Sequence, residues 1–171
     1  MTFPETFFGM ASAALAAHPD LKHEWSNGGR ASRTLKIPKS DAEGFDVTIV
    51  CHSYGLYPYA DDWHGAPWDV TTPQTSLSEM CRDCLGFVRS LLCEDSSLTV
   101  SYTNGRPYRW VLRYPIGGKA IDDRVGLLLF NPLGRRSVRV FRNKHLPVRE
   151  RPSAAAQQGA EGFPQATPGG Y

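Results

Sequence analysis

Three groups of side chains have the types and spacing to do chemistry. The first is Cys81-Arg82-Asp83-Cys84, a CxxC pair of the kind used by dithiol redox centres and by half of a structural zinc site. A thioredoxin-type pair opens a helix directly after a strand. Here both cysteines fall one turn inside a predicted helix and on its apolar stripe. Cys93 and Cys51-His52 stand at spacings that complete no second pair. Free cysteine is among the most buried residue types, so packing rather than ligation is expected, with no metal and no other cofactor.

The second group is Tyr57-Pro58-Tyr59-Ala60-Asp61-Asp62-Trp63-His64-Gly65-Ala66-Pro67-Trp68-Asp69. Residues 55–70 read as one irregular loop, and a loop of that length in a compact domain is usually functional or disordered. Its aromatics argue against disorder. Asp61, Asp62 and His64 carry the groups used for acid–base work and metal ligation. Neighbouring aspartates in extended backbone point apart, however. The chain also has no GxSxG, no phosphate-binding glycine loop and no HExxH. The competing reading is a recognition loop. Tyr57, Tyr59, Trp63 and Trp68 supply rigid contact area, Asp61, Asp62 and His64 add polar specificity, and Pro58 and Pro67 limit the entropy lost on ordering. A third reading makes Trp63 and Trp68 a cap on one end of the sheet.

The third group is basic. Arg106, Arg109 and Arg113 alternate with Tyr108, Trp110 and Tyr114, and Arg135, Arg136, Arg139, Arg142, Lys144, His145, Arg149 and Arg151 follow. The whole-chain charge of +2 conceals this, because residues 1–80 carry five basic and ten acidic side chains and residues 81–171 carry fourteen and seven. Such asymmetry points to an electrostatic partner or to two oppositely charged surfaces. An arginine-bearing sheet face can hold phosphates by charge alone, or an acidic protein, or simply stay soluble. No zinc finger, KH loop, RRM signature or basic heptad is present.

The elements that must position these groups follow from periodicity. Thr2 and Glu5 form a capping box, and Phe3, Phe7, Met10, Ala11, Ala14 and Leu15 recur at helical spacing until Pro19 stops the turn. Ser76 and Glu79 form a second box ahead of the stripe Leu77, Met80, Cys81, Cys84, Leu85, Val88, Leu91 and Leu92. Residues 21–25 and 31–37 read as a hairpin through Asn27-Gly28-Gly29, and 45–52 as a third strand. After the second helix, Leu98, Val100 and Tyr102 alternate with Thr99 and Ser101. A three-residue loop, Thr103-Asn104-Gly105, places Tyr108 and Trp110 on that apolar face and Arg109 and Arg113 with Thr99 and Ser101, since one residue of slip flips every side chain. Arg139 is expected to extend the arginine face. Residues 125–130 read as a central strand, turning at Asn131-Pro132 into residues 137–142.

The chain has 171 residues, 41% of them hydrophobic and 21% charged. A domain of this size buries roughly 70% of its unfolded surface and needs no disulfide or metal to hold its core. No apolar run is long enough to span a membrane. The N-terminal stretch lacks a basic n-region and contains Glu5, so it reads as an amphipathic helix rather than a signal peptide, and a reducing cytoplasm is expected. The expectation is one α+β domain over 1–151 and a flexible Ala/Gln/Gly/Pro-rich tail over 152–171. Two helices pack on a mainly antiparallel sheet of six to seven strands in the order α-β-β-β-α-β-β-β-β. That order resembles small α+β binding proteins such as secretion chaperones and immunity proteins, a likeness of element order alone. The expected function is non-catalytic protein recognition of the inhibitor, immunity or adaptor type, through Tyr57, Tyr59, Asp61, Asp62, Trp63, His64 and Trp68. The alternatives are a nucleic-acid-binding regulator using Arg109, Arg113, Arg135, Arg136, Arg139 and Arg142, and a small hydrolase or metal enzyme centred on Asp61, Asp62 and His64.

Overall fold

The computed structural model describes residues 2–28, 32–69, 76–116, 118–126 and 133–146. The hairpin turn at Gly29, most of the strand expected over 125–130, the turn at Asn131-Pro132 and the tail lie outside these residues. Both helices begin where the sequence caps them. In α1 (Phe3–Ala16) the Thr2 backbone N–H donates to Glu5 Oε2 at 2.9 Å, and Phe3, Phe7, Ala11 and Leu15 turn one stripe inward. In α2 (Leu77–Leu91) the Ser76 N–H donates to Glu79 Oε2 at 2.8 Å while the Glu79 N–H donates back to Ser76 Oγ at 3.2 Å. Replacing such a cap costs about 1 kcal/mol. No described helix is long and apolar enough to cross a membrane.

The class is α+β, with two helices on antiparallel strands. Among the described residues the strands number ten and form two sheets instead of one. The first sheet holds β1 (Glu24–Asn27), β2 (Ser32–Ile37), β3 (Val47–His52), β4 (Gly55–Ala60) and the short β5 (Trp63–His64), paired in chain order, with β6 (Trp68–Asp69) also on β4. The expected loop over 55–70 is therefore three strands. Pro58 disguises them, because proline is ordinarily excluded from a central strand. The Pro58 carbonyl accepts from Gly65 N–H at 3.2 Å, so its missing donor points towards the β5 and β6 side. There the partner strand is interrupted: β5 pairs with Tyr59–Ala60 and β6 with Gly55–Leu56, leaving residues 65–67 between them. Gly55 is needed for the close approach of β6, since a Cβ there would stand 2.8 Å from the Trp68 carbonyl oxygen.

The second sheet runs β10-β7-β8-β9, from β7 (Ser97–Thr103), β8 (Arg106–Ile116), β9 (Lys119–Gly126) and β10 (Arg136–Phe141). The β7–β8 hairpin corrects one expectation and preserves its consequence. Its turn has two residues, Asn104 and Gly105, both left-handed at φ 51° and 78°, as a type I′ turn requires. A bulge at Tyr108 then inserts the residue that the longer loop would have supplied, so Trp110 still faces Val100 and Leu112 faces Leu98.

Both sheets turn one face to a shared core. α2 contacts β4 and β6 on one side and β8 on the other, while α1 packs on α2, β2 and β3. Phe7, Phe45, Ile49, Leu56, Trp63, Leu91, Leu98 and Leu112 are fully buried there, each contributing about 1.5–3 kcal/mol relative to exposure. One buried polar side chain stitches the layers together. Asn143 Oδ1 accepts from Phe45 N–H at 3.1 Å and its Nδ2 donates to the Leu91 carbonyl at 3.3 Å, tying the segment after β10 to the approach to β3 and the end of α2.

Candidate functional site

Strand alternation divides the aromatic segment between two surfaces. Leu56, Pro58 and Ala60 of β4 face the core, and so does Trp63, which lies opposite Ala60 and is 1% exposed. Trp63 packs on Phe87 of α2 at 6.1 Å between ring centroids, and Trp68 meets the same ring at 5.6 Å. The two tryptophans thus join the first sheet to α2. Trp63 in addition buries its Nε1–H without a partner. Tyr57 and Tyr59 point the other way, to the outer face, with His64 directly opposite Tyr59.

On that outer face the chain assembles a ring cluster that includes two residues just outside the expected segment. β3 ends at His52, the turn Ser53-Tyr54 follows, and β4 returns at Gly55. Tyr54 folds back to lie on the His52 imidazole, with centroids 5.3 Å apart and planes 5° from parallel. Tyr57 stands edge-on to both rings, at 5.4 Å from His52 and 6.0 Å from Tyr54. Tyr54 is 51% exposed. Partial desolvation, the Tyr54 hydroxyl and the Asp69 carboxylate raise the Tyr57 phenol above its ordinary value. The signal for His52 and Tyr54 was their alternation ahead of Tyr57 and Tyr59, visible only once Gly55 is recognised as the start of a strand.

The acidic residues do not join this cluster. Asp61 forms the β4–β5 turn in a left-handed conformation, φ 48°. Its Oδ1 accepts from Asp46 N–H at 2.9 Å while its own N–H donates to the Asp46 carbonyl at 3.0 Å. Asp46 is in turn held by Lys36 Nζ at 2.7 Å and Lys39 N–H at 2.9 Å. The Asp61 carboxylate is thus a turn latch, pushed above the ordinary carboxylate value by burial despite the bond from Asp46. Asp62 is exposed beside it. Among the described residues no three His, Cys, Asp or Glu side chains are placed to share a metal ion, so Asp61, Asp62 and His64 do not assemble into one centre. The four cysteines are buried. Burial pushes Cys51 up to about 12 and Cys81 to about 11, and Cys84 well above its ordinary value.

The basic residues are also divided. Arg109 lies opposite Ser101 and Arg113 opposite Ser97, on the outward face of the second sheet, as the hairpin register predicts. Arg113 forks onto Asp122 of β9, with Nε at 2.7 Å and Nη2 at 3.0 Å from its two oxygens, and this ion pair holds the Asp122 carboxyl below its ordinary value. Arg139 contradicts expectation. It pairs with Val100, on the core-side face, and its guanidinium lies 5.8 Å from the centre of the Tyr102 ring. Val138 and Val140 occupy the outward positions instead. Arg135 is tied through its backbone to Asn104, Arg136 pairs with Thr103, and the Arg142 N–H donates to the Glu43 carbonyl at 2.7 Å. The six arginines therefore form no single patch.

Between the two sheets and α2 runs a groove of about 1050 Å³, lined by Trp63, Pro67, Trp68, Phe87, Tyr114 and Ile116 among others, with Arg82, Asp83 and Asp123 on its walls. Comparison with protein-family models, curated proteins and solved structures gives no match to this chain.

Proposed function

We propose that this chain is a non-catalytic binding protein of the inhibitor, immunity or adaptor type, which recognises a protein partner through the outer face of its first sheet. The observation that carries the reading is the His52–Tyr54–Tyr57 cluster, three rings held in fixed mutual geometry on an otherwise open sheet face. Tyr59 and His64 extend it along the same face. Tyrosines already ordered by their neighbours lose little side-chain entropy on binding and offer both apolar area and a hydroxyl, which is why they recur at interface hot spots. Asp61, Trp63 and Trp68 act behind this surface, holding its turn and its packing on α2. The buried thiols of Cys51, Cys81 and Cys84 fit work in a reducing compartment such as the cytoplasm.

The test is capture from the native host with the full chain as bait, comparing wild type with Tyr54→Ala, Tyr57→Ala and a control exposed on α2, Ser78→Ala. A protein retained by wild type and by the control but lost by both tyrosine variants supports the reading. Equal retention by all four baits removes the cluster from recognition.

A further inference from the structure

The outward face of the second sheet has an organisation that the first sheet's recognition surface does not explain. Directly opposed residues share a face, so the pairing register reads off its rows. Val140, Thr99, Val111 and Arg124 form one row across β10, β7, β8 and β9, and Val138, Ser101, Arg109 and Gly126 the next. A third brings together Ser97, Arg113 and Asp122. The β10 side of the face is therefore aliphatic, with Val138 62% and Val140 49% exposed, and Thr99 and Ser101 on the adjoining β7 are small. Arg109, Arg113 and Arg124 stand on the β8–β9 side, and Asp122, engaged by Arg113 at 2.7 Å, is the one acid in these rows.

We propose that this face is a second docking surface, and that its partner is a protein presenting aliphatic side chains beside carboxylates. Exposed aliphatic side chains flanked by charge mark a protein-interaction surface. The arginine side selects an acidic counterpart through complementary potential. Nucleic acid fits less well. No aromatic side chain stands at these positions to stack on bases, the valines have nothing to meet on a phosphate backbone, and Arg113 is already engaged by Asp122. A second copy docking through the same face would set arginine against arginine. The surface is distinct from the His52–Tyr54–Tyr57 face, so a chain carrying both can bridge two partners.

The test uses the full chain and three fluorescent probes: a ten-residue peptide of alternating Glu and Leu, one of alternating Glu and Ser, and a DNA duplex of 20 base pairs. The Glu-Leu peptide is expected to bind about tenfold more tightly than the Glu-Ser peptide, the factor that burial of one aliphatic side chain supplies. The double substitution Val138→Thr and Val140→Thr keeps β propensity and should bring the two peptides level. Arg109→Gln with Arg124→Gln should weaken both, while Ser78→Ala, exposed on α2 away from both faces, should change neither. Thermal melting of each variant identifies any that fails to fold, in which case Val138→Thr alone and Arg124→Gln alone replace the doubles. Equal affinity for the two peptides, a preference for Glu-Leu that survives the valine changes, or no binding of either peptide overturns the proposal. Tighter binding of the duplex overturns it in favour of nucleic acid.

Discussion

Tyr54 lies flat on His52, centroids 5.3 Å apart, at the tip of the β3–β4 hairpin. The imidazole is half-buried and the phenol half-exposed, so one ring serves as a platform for the other. This makes His52 a positioning residue for the proposed recognition surface. A double-mutant cycle of His52→Ala and Tyr54→Ala against the captured partner should give a coupling of about 0.5–1.5 kcal/mol, the range for ring pairs. Each single variant should melt within about 2 °C of wild type, because surface changes stay near 0.5 kcal/mol. Strictly additive losses of affinity would mean that Tyr54 needs no platform.

Trp63 gives a prediction in which two effects compete. Trp63→Ala empties the space between Ala60 and Phe87 and should cost about 3–5 kcal/mol, lowering the melting temperature by roughly 10 °C. Trp63→Phe also loses packing, but it removes an indole N–H buried without a partner, a penalty of about 1–3 kcal/mol. The phenylalanine variant should therefore lie within about 1.5 kcal/mol of wild type by urea denaturation. A loss as large as that of alanine would show that the N–H finds an acceptor.

Asn143 is a connector that no apolar residue can replace. Asn143→Leu preserves volume but strands the Phe45 N–H and takes away the donor that reaches the Leu91 carbonyl. The expected cost is about 3 kcal/mol, seen as a lower urea midpoint with an unchanged slope. A neutral result would mean that water replaces both bonds.

The core thiols should be chemically silent while the protein is folded. With Cys51 near 12 and Cys81 near 11, their thiolate fractions at pH 8 are on the order of 10⁻⁴ and 10⁻³. Iodoacetamide should leave Cys51, Cys81 and Cys84 unmodified in the native protein and alkylate all three in urea, as read by peptide mass spectrometry. Rapid native labelling of Cys81 and Cys84 would reopen a redox role for the CxxC pair.

His145 sets a pH dependence. Its Nε2 is buried without a partner, and burial pulls its pKa below the ordinary 6.5 against the opposing pull of the Pro38 carbonyl and Asp41. The unfolded chain therefore takes up the proton first as pH falls below 6.5. Stability from this residue is fully present above that value and is lost progressively on acidification. Asp61, raised by burial, works in the opposite direction, so the His145 part is isolated by difference. The drop in urea midpoint from pH 7 to pH 5 should be smaller in His145→Gln than in wild type. Identical slopes would place the titration elsewhere.

What the sequence determined by itself was local. Thr2 with Glu5 and Ser76 with Glu79 fixed both helix starts, because a capping box closes within four residues. Alternation within residues 98–102 and 109–113 set which side chains of each strand share a face, because a strand's period is two. The match between the two strands needed the bulge at Tyr108. Tertiary structure decided everything that depends on a distant partner. Pro58 is tolerated in β4 only because the neighbouring strand breaks beside it. The side that Arg139 takes is set by its pairing with Val100, 39 positions earlier. Asp61 becomes a latch instead of a ligand because Asp46 is folded against it. The aromatic segment was visible as composition, but its division into a buried tryptophan side and an open tyrosine face follows from strand pairing, which no local pattern encodes.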